Sequence, residues 1–271
     1  MSVAFLLVSC CLEPTRTQIL SQVVSNLCEQ APELKDRLTV FDNASTDLDS
    51  TNLLKNNFKY VYRSDKNIGY WNAIDWWLTT LEHQAVVPEY TYIIESDMIH
   101  YNFNKIWNCA AYLEEHPDVG SVRLHEYSVA NRHLYNKDNP LPQSKRSLWQ
   151  SHTNKVTGER VQFGQNSGEI YVTNFLTQLP ALNRYITLKN VFDTLRTLSD
   201  FSELDFQRLY HEQYSKTAIL DGGIFHCNLN NFETKTLTGS WSSREELNKL
   251  GYQRTRHTTI IPRDQYNVTR V

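Results

Sequence analysis

The sequence predicts an α/β fold: a mostly parallel sheet with helices on both of its faces. Three observations carry that prediction. Apolar runs of strand length alternate with helical stripes through the first 125 residues. The runs are continuously apolar, as strands covered on both sides are. Polar, turn-forming clusters follow the runs, where an open parallel sheet places its binding rim.

Taken in order, Val3–Val8 is the first such strand. Thr15–Glu29 carries Ile19, Leu20, Val23, Val24 and Leu27 at helical spacing. Pro14 stands just ahead of it, where a helix start tolerates proline. Leu38–Phe41 and Tyr60–Tyr62 read as the second and third strands. Asp65–Gly69 is a turn leading into a helix over Tyr70–Glu82. Tyr90–Ile94 is the fourth strand, followed by a helix over Phe103–Glu115 and a strand over Val119–Leu124. This rhythm gives βαβ units. Beyond it the pattern loosens, and residues 126–168 predict long loops or a short hairpin. Glu169–Thr173 then reads as a strand, and Thr187–Leu198 and Ser202–Tyr214 as helices. Lys216–Leu220 and Gly223–Asn228 read as short strands, and Ser243–Leu250 as a final helix. No linker composition interrupts the chain. One domain over 1–271 is expected, with 1–125 and 126–271 as its halves.

The net charge of −3 argues against a general nucleic-acid binder, which would be basic. The charge is uneven, however. Residues 121–160 hold seven Lys/Arg against three Asp/Glu, and residues 251–271 hold four against one. That asymmetry is compatible with an anionic ligand or partner on the C-terminal half. The five cysteines are odd in number and form no CxxC, which points to a reduced chain and a cytoplasmic setting. No stretch reaches the roughly 18 apolar residues of a membrane span. The opening MSVAFLLVSCC lacks the basic flank of a signal peptide and reads as a strand.

Four polar clusters fall on the predicted rim: Ser9-Cys10-Cys11, Asp42–Asp47, Arg63–Gly69 and Glu95–Asp97. Asp42 is placed to accept from a base N–H or a ribose hydroxyl. An Asx turn with a helix cap would use the same residues. Asn67-Ile68-Gly69 precedes a helix. There Gly69 lets backbone approach a ligand and the helix start favours phosphate, with Arg63 and Lys66 adding charge. A plain turn is the simpler reading.

Glu95-Ser96-Asp97 ends a strand in two carboxylates. On an extended chain, positions i and i+2 share a side, so the acids repel unless a positive group lies between them. Hard oxygen ligands at this spacing suit Mg²⁺ or Mn²⁺ held jointly with a diphosphate. A solvated strand end and a glycosidase pair are the alternatives. Glu203 and Asp205 lie on a helix, where i and i+2 do not face each other. One is then a candidate general base and the other structural, unless both are solvated. His226 ends an apolar stretch and offers a nitrogen ligand to the same metal, or is a structural histidine.

The order of these pieces resembles that of the GT-A glycosyltransferases of the family 2-like group. The matching segments are Val40-Phe41-Asp42-Asn43-Ala44-Ser45-Thr46-Asp47, Asn67-Ile68-Gly69, Glu95-Ser96-Asp97, Glu203-Leu204-Asp205 and His226, in that order. The resemblance covers residues 3–125 well and 187–228 loosely. It implies a GT-A (Rossmann-like) fold with a C-terminal acceptor-side lobe. It also implies a metal-dependent transfer of a sugar, with inversion, from a nucleotide-diphosphate donor to an acceptor hydroxyl. A UDP-sugar is the foremost donor. Asp42 would read the base with Ser9 packing near it. Arg63, Lys66, Asn67 and Gly69 would approach the diphosphate or ribose, and Asn43 and Ser96 would line the same donor site. Asp97 would ligate Mn²⁺ or Mg²⁺, with Glu95 at the ribose or metal and His226 completing the shell. Glu203 or Asp205 would deprotonate the acceptor.

The chain departs from the family pattern in places. Glu95 stands for the first Asp, Asp75 stands where Asn is common, and Arg208 is one position off. Glu203 is the base by register and Asp205 the second choice. The acceptor class stays open between a glycan, a small molecule and a hydroxymethylated DNA base of the kind that phage-type enzymes modify. Trp149 and Trp241 would stack in the last case. A non-catalytic nucleotide-sugar binding module is the other class. A nucleotidyltransferase would need a Gly-rich loop, which Ser9-Cys10-Cys11-Leu12-Glu13 lacks.

Overall fold

The computed structural model describes residues 1–100, 102–126, 152–153, 160–161, 164–166, 170–173, 181–214, 216–226 and 258–271. The expected helix at Ser243–Leu250, most of the expected loop at 126–168, and Trp149 and Trp241 lie outside them. The chain alternates β1 (Val3–Ser9), α1 (Pro14–Gln30), β2 (Leu38–Asp42), α2 (Leu48–Asn57), β3 (Tyr60–Ser64), α3 (Tyr70–Glu82) and β4 (Tyr90–Glu95). Next come β5 (Met98–His100), α4 (Lys105–Glu115) and β6 (Val119–Glu126). Short strands β7 (His152–Thr153), β8 (Arg160–Val161), β9 (Gly164–Asn166), β10 (Ile170–Thr173) and β11 (Leu182–Arg184) lead to α5 (Tyr185–Leu195) and α6 (Glu203–Gln213). The described chain closes with β12 (Lys216–His226) and β13 (Val268–Arg270).

The main sheet runs β13-β3-β2-β1-β4-β11-β6-β12-β10-β9, with β5 paired to β12. Its central pairs β3·β2, β2·β1 and β1·β4 are parallel, as is β6·β12. The antiparallel pairs are those of β11 with both its neighbours, of β13 with β3 at one edge, of β10 with β12 and β9 at the other, and of β5 with β12. The chain steps from β1 to β2 and β3 on one side, then to β4 on the other. This is the strand-order reversal that opens a ligand crevice at the carboxyl ends.

The two faces sort by residue parity. Val3, Phe5 and Leu7 of β1 join Tyr90, Tyr92 and Ile94 of β4 in a core under α1 and α4. Leu6 and Val8, with Ile93, face the opposite core, built by α3, α5 and α6. That alternation is the pleat at work, and apolar residues at both parities are what made the runs continuous. No helix among the described residues is long and apolar enough to cross a membrane.

Two expectations need correction, and one helix not expected from the sequence is present. Glu95 and Asp97 do not share an extended chain: β4 stops at Glu95, and Ser96-Asp97 turn the chain into β5. The strands expected at Lys216–Leu220 and Gly223–Asn228 are one strand, β12, ending at His226. Its register shifts between Leu220 and Ile224, where Gly222-Gly223 absorb a bulge. The segment Asp47–Asn57 holds a helix, α2, capped by the Asp47 side chain on the Asp49 N–H.

The last fourteen residues are tied into the fold by α3. Asn72 donates to the carbonyls of Ile68 and Thr259 and accepts from the Ile261 N–H and the Tyr266 hydroxyl. Asp75 is fully buried. It accepts from Tyr266 Oη at 2.8 Å and pairs with Arg196 at 2.6 Å. The departure at this position is thus a structural lock between α3, α5 and the C-terminal segment. Asp75→Ala should lower the unfolding free energy by about 2–4 kcal/mol, since it strands a partly buried arginine and a phenol. Urea unfolding measures this, and faster amide exchange at Val268–Arg270 should accompany it.

Candidate functional site

The four polar clusters meet at the carboxyl ends of β1 to β4. Ser9, Asp42 and Arg63 stand side by side in one row across β1, β2 and β3, and Glu95 is level with Val8. The loops above this row are sewn together. The Cys11 N–H donates to Ser45 Oγ at 2.8 Å, and the Cys11 carbonyl accepts from the N–H groups of Thr46 and Asp47. Ser9 is buried, its hydroxyl against Cys11 Sγ at 3.6 Å. Burial, with Cys11 and Asp42 nearby, pushes the Cys10 thiol up to about 12.

Asp42 is the hub of the row. Its carboxylate is out of solvent and accepts from Arg63 Nη1 at 2.5 Å, Thr51 Oγ1 at 2.8 Å and the Ser45 N–H at 2.9 Å. Arg63 also donates to Thr51 Oγ1 and to the Ser45 carbonyl. Ala44, between them, is held at φ 58°, the one non-glycine positive φ among the described residues. Both Asp42 oxygens are thus already engaged by the fold.

Asn43 and Asn67 shape the turn before α3. Asn43 Oδ1 accepts from the Ile68 N–H at 2.8 Å, and Asn43 Nδ2 donates to Asn67 Oδ1 at 2.9 Å. The same Asn67 oxygen accepts from the Gly69 N–H. Gly69 caps α3 at φ 84° and ψ 160°, a region open to glycine and little else. A side chain there would meet nothing within 4 Å, so the backbone faces open space. Lys66 and Asn67 are exposed beside it.

The second half of the site is acidic. Asp97 is buried in the turn after β4, with Arg16 Nη1 at 3.9 Å. Tyr70, the first residue of α3, has its hydroxyl out of solvent contact, with Glu95 as its neighbouring carboxylate. Burial holds that phenol well above the usual tyrosine range, and the charges of Glu95, Asp97 and Glu203 push the same way. Arg123 of β6 is lowered by burial, against the opposing pull of Glu95 and Glu203. Glu95 and Glu203 thus act on both Tyr70 and Arg123, and Asp97 on Tyr70. The positive groups that the Glu95-Ser96-Asp97 motif demanded are Arg16 and Arg123.

The two helical acids separate in role. Asp205 closes a capping box: its Oδ2 accepts from the Ser202 N–H and hydroxyl, while Ser202 Oγ accepts from the Asp205 N–H. Its other oxygen meets Arg208 at 3.3 Å. Glu203 is exposed at the first turn and is restrained by Gln207 at 3.3 Å.

For a metal, the described side chains offer no cluster of three or more His, Cys, Asp or Glu. Glu95 and Asp97 still fit Mg²⁺ or Mn²⁺, because such ions are held by one or two carboxylates with the rest of the shell left to phosphate and water. The His226 backbone pairs with Met98, one residue beyond Asp97. Its side chain lies outside the described residues. Sequence reasoning missed Arg16, Thr51, Tyr70 and Arg123. Arg123 alone left a signal, as an arginine inside the apolar run Val119–Leu124.

No protein-family model matches the chain, and no curated protein matches it. Among solved structures it is similar to residues 1–349 of TarS from S. aureus, with 14% identity over 83% of this chain and 60% of that one, TM-score 0.47. It is similar to GalNAc-T7 crystallised with UDP, GalNAc and Mn²⁺, with 10% identity over 83% of this chain and 43% of that one, TM-score 0.49. It is also similar to glucosyl-3-phosphoglycerate synthase from Mycobacterium tuberculosis, with 14% identity over 94% and 81%, TM-score 0.47. That protein was solved in complex with Mn²⁺, UDP and glucosyl-3-phosphoglycerate. The chain spans less than two thirds of the length of the first two of these structures. At such identities and scores no residue role is carried across.

Gly69→Ala tests the turn. The strained φ should cost about 1–3 kcal/mol in a urea melt.

Proposed function

We propose that the chain is a nucleotide-sugar-dependent glycosyltransferase of the GT-A type, transferring a hexose or pentose to an acceptor hydroxyl with inversion. The observation that carries this reading is the row Ser9, Asp42 and Arg63 at the carboxyl ends beside the strand-order reversal, with Glu95 and Asp97 at the end of β4 and a glycine-started helix next to them. A hydroxyl-rich, diphosphate-bearing donor answers both halves of that surface.

The exposed turn Lys66-Asn67 and the first N–H groups of α3 bind the diphosphate, since a helix start favours phosphate and Lys66 adds charge. Asp42 and Arg63 hold the rim that receives the nucleoside, with Ser9, Asn43 and Ser96 lining it. Bound Mg²⁺ or Mn²⁺, held by Asp97 and Glu95 with His226 as a further ligand, would stabilise the charge on the leaving diphosphate. Glu203 accepts the proton of the acceptor hydroxyl as its oxygen bonds to the anomeric carbon and the bond to the diphosphate breaks. Asp205 is excluded from that task by its cap. Residues 126–271 supply the acceptor side of a single domain.

Release of UDP from a panel of UDP-sugars, with glycan, small-molecule and hydroxymethylated-DNA acceptors, tests this reading. Wild type should turn over at least one donor and stop in EDTA; undiminished release in EDTA would remove the metal assignment. Asp97→Asn should lose activity with the fold intact. Glu203→Gln should lower kcat by about 10²–10⁴-fold. Asp205→Asn should cost about 1 kcal/mol of stability and leave most of the turnover. Wild-type turnover in Glu203→Gln would end its role as base.

A further inference from the structure

Two stretches far apart in sequence meet where α3 begins. One is the turn Asp65–Gly69, and the other is the segment 258–271, which follows β12 in the chain. Asn72, in the first turn of α3, is the main joint, and it is buried. Its amide nitrogen donates to the Ile68 carbonyl at 2.8 Å and to the Thr259 carbonyl at 3.1 Å. Its oxygen accepts from the Ile261 N–H at 2.9 Å and lies 3.2 Å from the Tyr266 hydroxyl. An asparagine side chain has two donor hydrogens and two acceptor lone pairs, so Asn72 is used on every side. The second joint is at the other end of the turn. The Asp65 N–H donates to the Asn267 carbonyl at 3.2 Å, and the Asn267 side-chain amide donates to the Asp65 carboxylate at 3.2 Å. One segment thus holds the turn at its start and at its end, while Asn43 holds its middle from the β2 side. Apolar packing agrees, since Ile68 and Ile260 are buried in the same core. The Ile68 carbonyl and the Gly69 N–H belong to one rigid peptide plane. The bond from Asn72 to that carbonyl therefore sets the plane that leads into the first N–H groups of α3.

We propose that Asn72 and Asn267 are positioning residues of the donor site: through them the segment 258–271 holds the Asp65–Gly69 turn in the shape that receives a nucleoside diphosphate. The proposal rests on the reading above, in which that turn and the start of α3 bind the diphosphate. Such coupling is reciprocal. If the docked segment favours the ligand, the ligand favours the docked segment by the same factor. Hydrogen exchange with and without nucleotide and Mn²⁺ reads one direction. Exchange at the Ile261 N–H and at Val268–Arg270 should slow, and by more than in α4. Calorimetric titration with Mn²⁺ present reads the other, using UDP, GDP, ADP and CDP and carrying forward the one that wild type binds most tightly. Asn72→Ala removes every bond of the main joint and should weaken that nucleotide about tenfold or more. Asn267→Ala alters one exposed contact, so it keeps the test decisive where Asn72→Ala fails to fold. It should weaken binding about threefold at an unchanged urea midpoint. Asp65→Asn combined with Asn267→Asp exchanges donor and acceptor across the same contact and should restore wild-type affinity. With nucleotide bound, unchanged exchange in the segment or wild-type affinity in Asn267→Ala would make the segment a structural brace alone; the proposal falls and the transferase reading stands. A loss that the exchanged pair does not restore assigns Asn267 to direct ligand contact and also overturns the positioning role. If wild type binds none of the four nucleotides, the donor reading fails and takes the coupling with it.

Discussion

The buried pair of Asp42 and Arg63 is the contact on which the candidate site depends. A carboxylate with no solvent contact is tolerated only when its charge is met and its lone pairs are filled. Here Arg63 comes from β3, Thr51 from α2 and the Ser45 N–H from the loop between β2 and α2. One acid thus fixes three separate pieces of chain at the carboxyl edge of the sheet. Loss of one partner from such a pair is worth of the order of 3–5 kcal/mol, enough to undo the rim before any ligand arrives. Ala44 is kept at a positive φ within the same loop, a conformation that costs an alanine about 1–2 kcal/mol. The Asp42 bonds on either side hold it there.

The rim then divides its electrostatics. The half near Asn67 and Gly69 is neutral to basic and presents the start of α3. The half beyond β4 holds Glu95 and Asp97, with Arg16 beside Asp97. The C-terminal segment enters this design indirectly. It pairs β13 with β3 so that Thr269 lies opposite Arg63, and it is fastened to α3 through Asn72 and Asp75. The edge strand that carries Arg63 is therefore covered and the helix that carries Tyr70 is braced.

Strands β1 to β4 and helices α1 and α3 are legible in the sequence because burial on both faces writes long, unmixed apolar runs and clean helical stripes. The helix α2 is not, since only Ser50 and Leu54 of its ten residues are buried and no stripe forms. Strands β5, β11 and β13 are three residues each, too short for any period to show. Their place is set by partners far along the chain. The motif residues on the rim are legible by position, because turn-forming clusters mark strand ends. Their bonding is not. That Asp42 is met by Arg63, or that Asp205 is spent on a cap while Glu203 stays exposed, depends on contacts that sequence spacing does not encode. Ser202-x-x-Asp205 did carry the cap signature, and a helix-first reading of those four residues separates the two acids.

The central claim is that the β1–β4 rim takes a nucleotide diphosphate beside a divalent ion. Crystals grown with UDP and Mn²⁺, measured at the manganese absorption edge, test it most directly. The account predicts an anomalous peak at the Asp97 carboxylate, with the diphosphate against the Asn67–Tyr70 turn and the nucleoside over the Asp42–Arg63 row. Nucleotide bound elsewhere on the chain, or a manganese peak remote from Asp97, would contradict it.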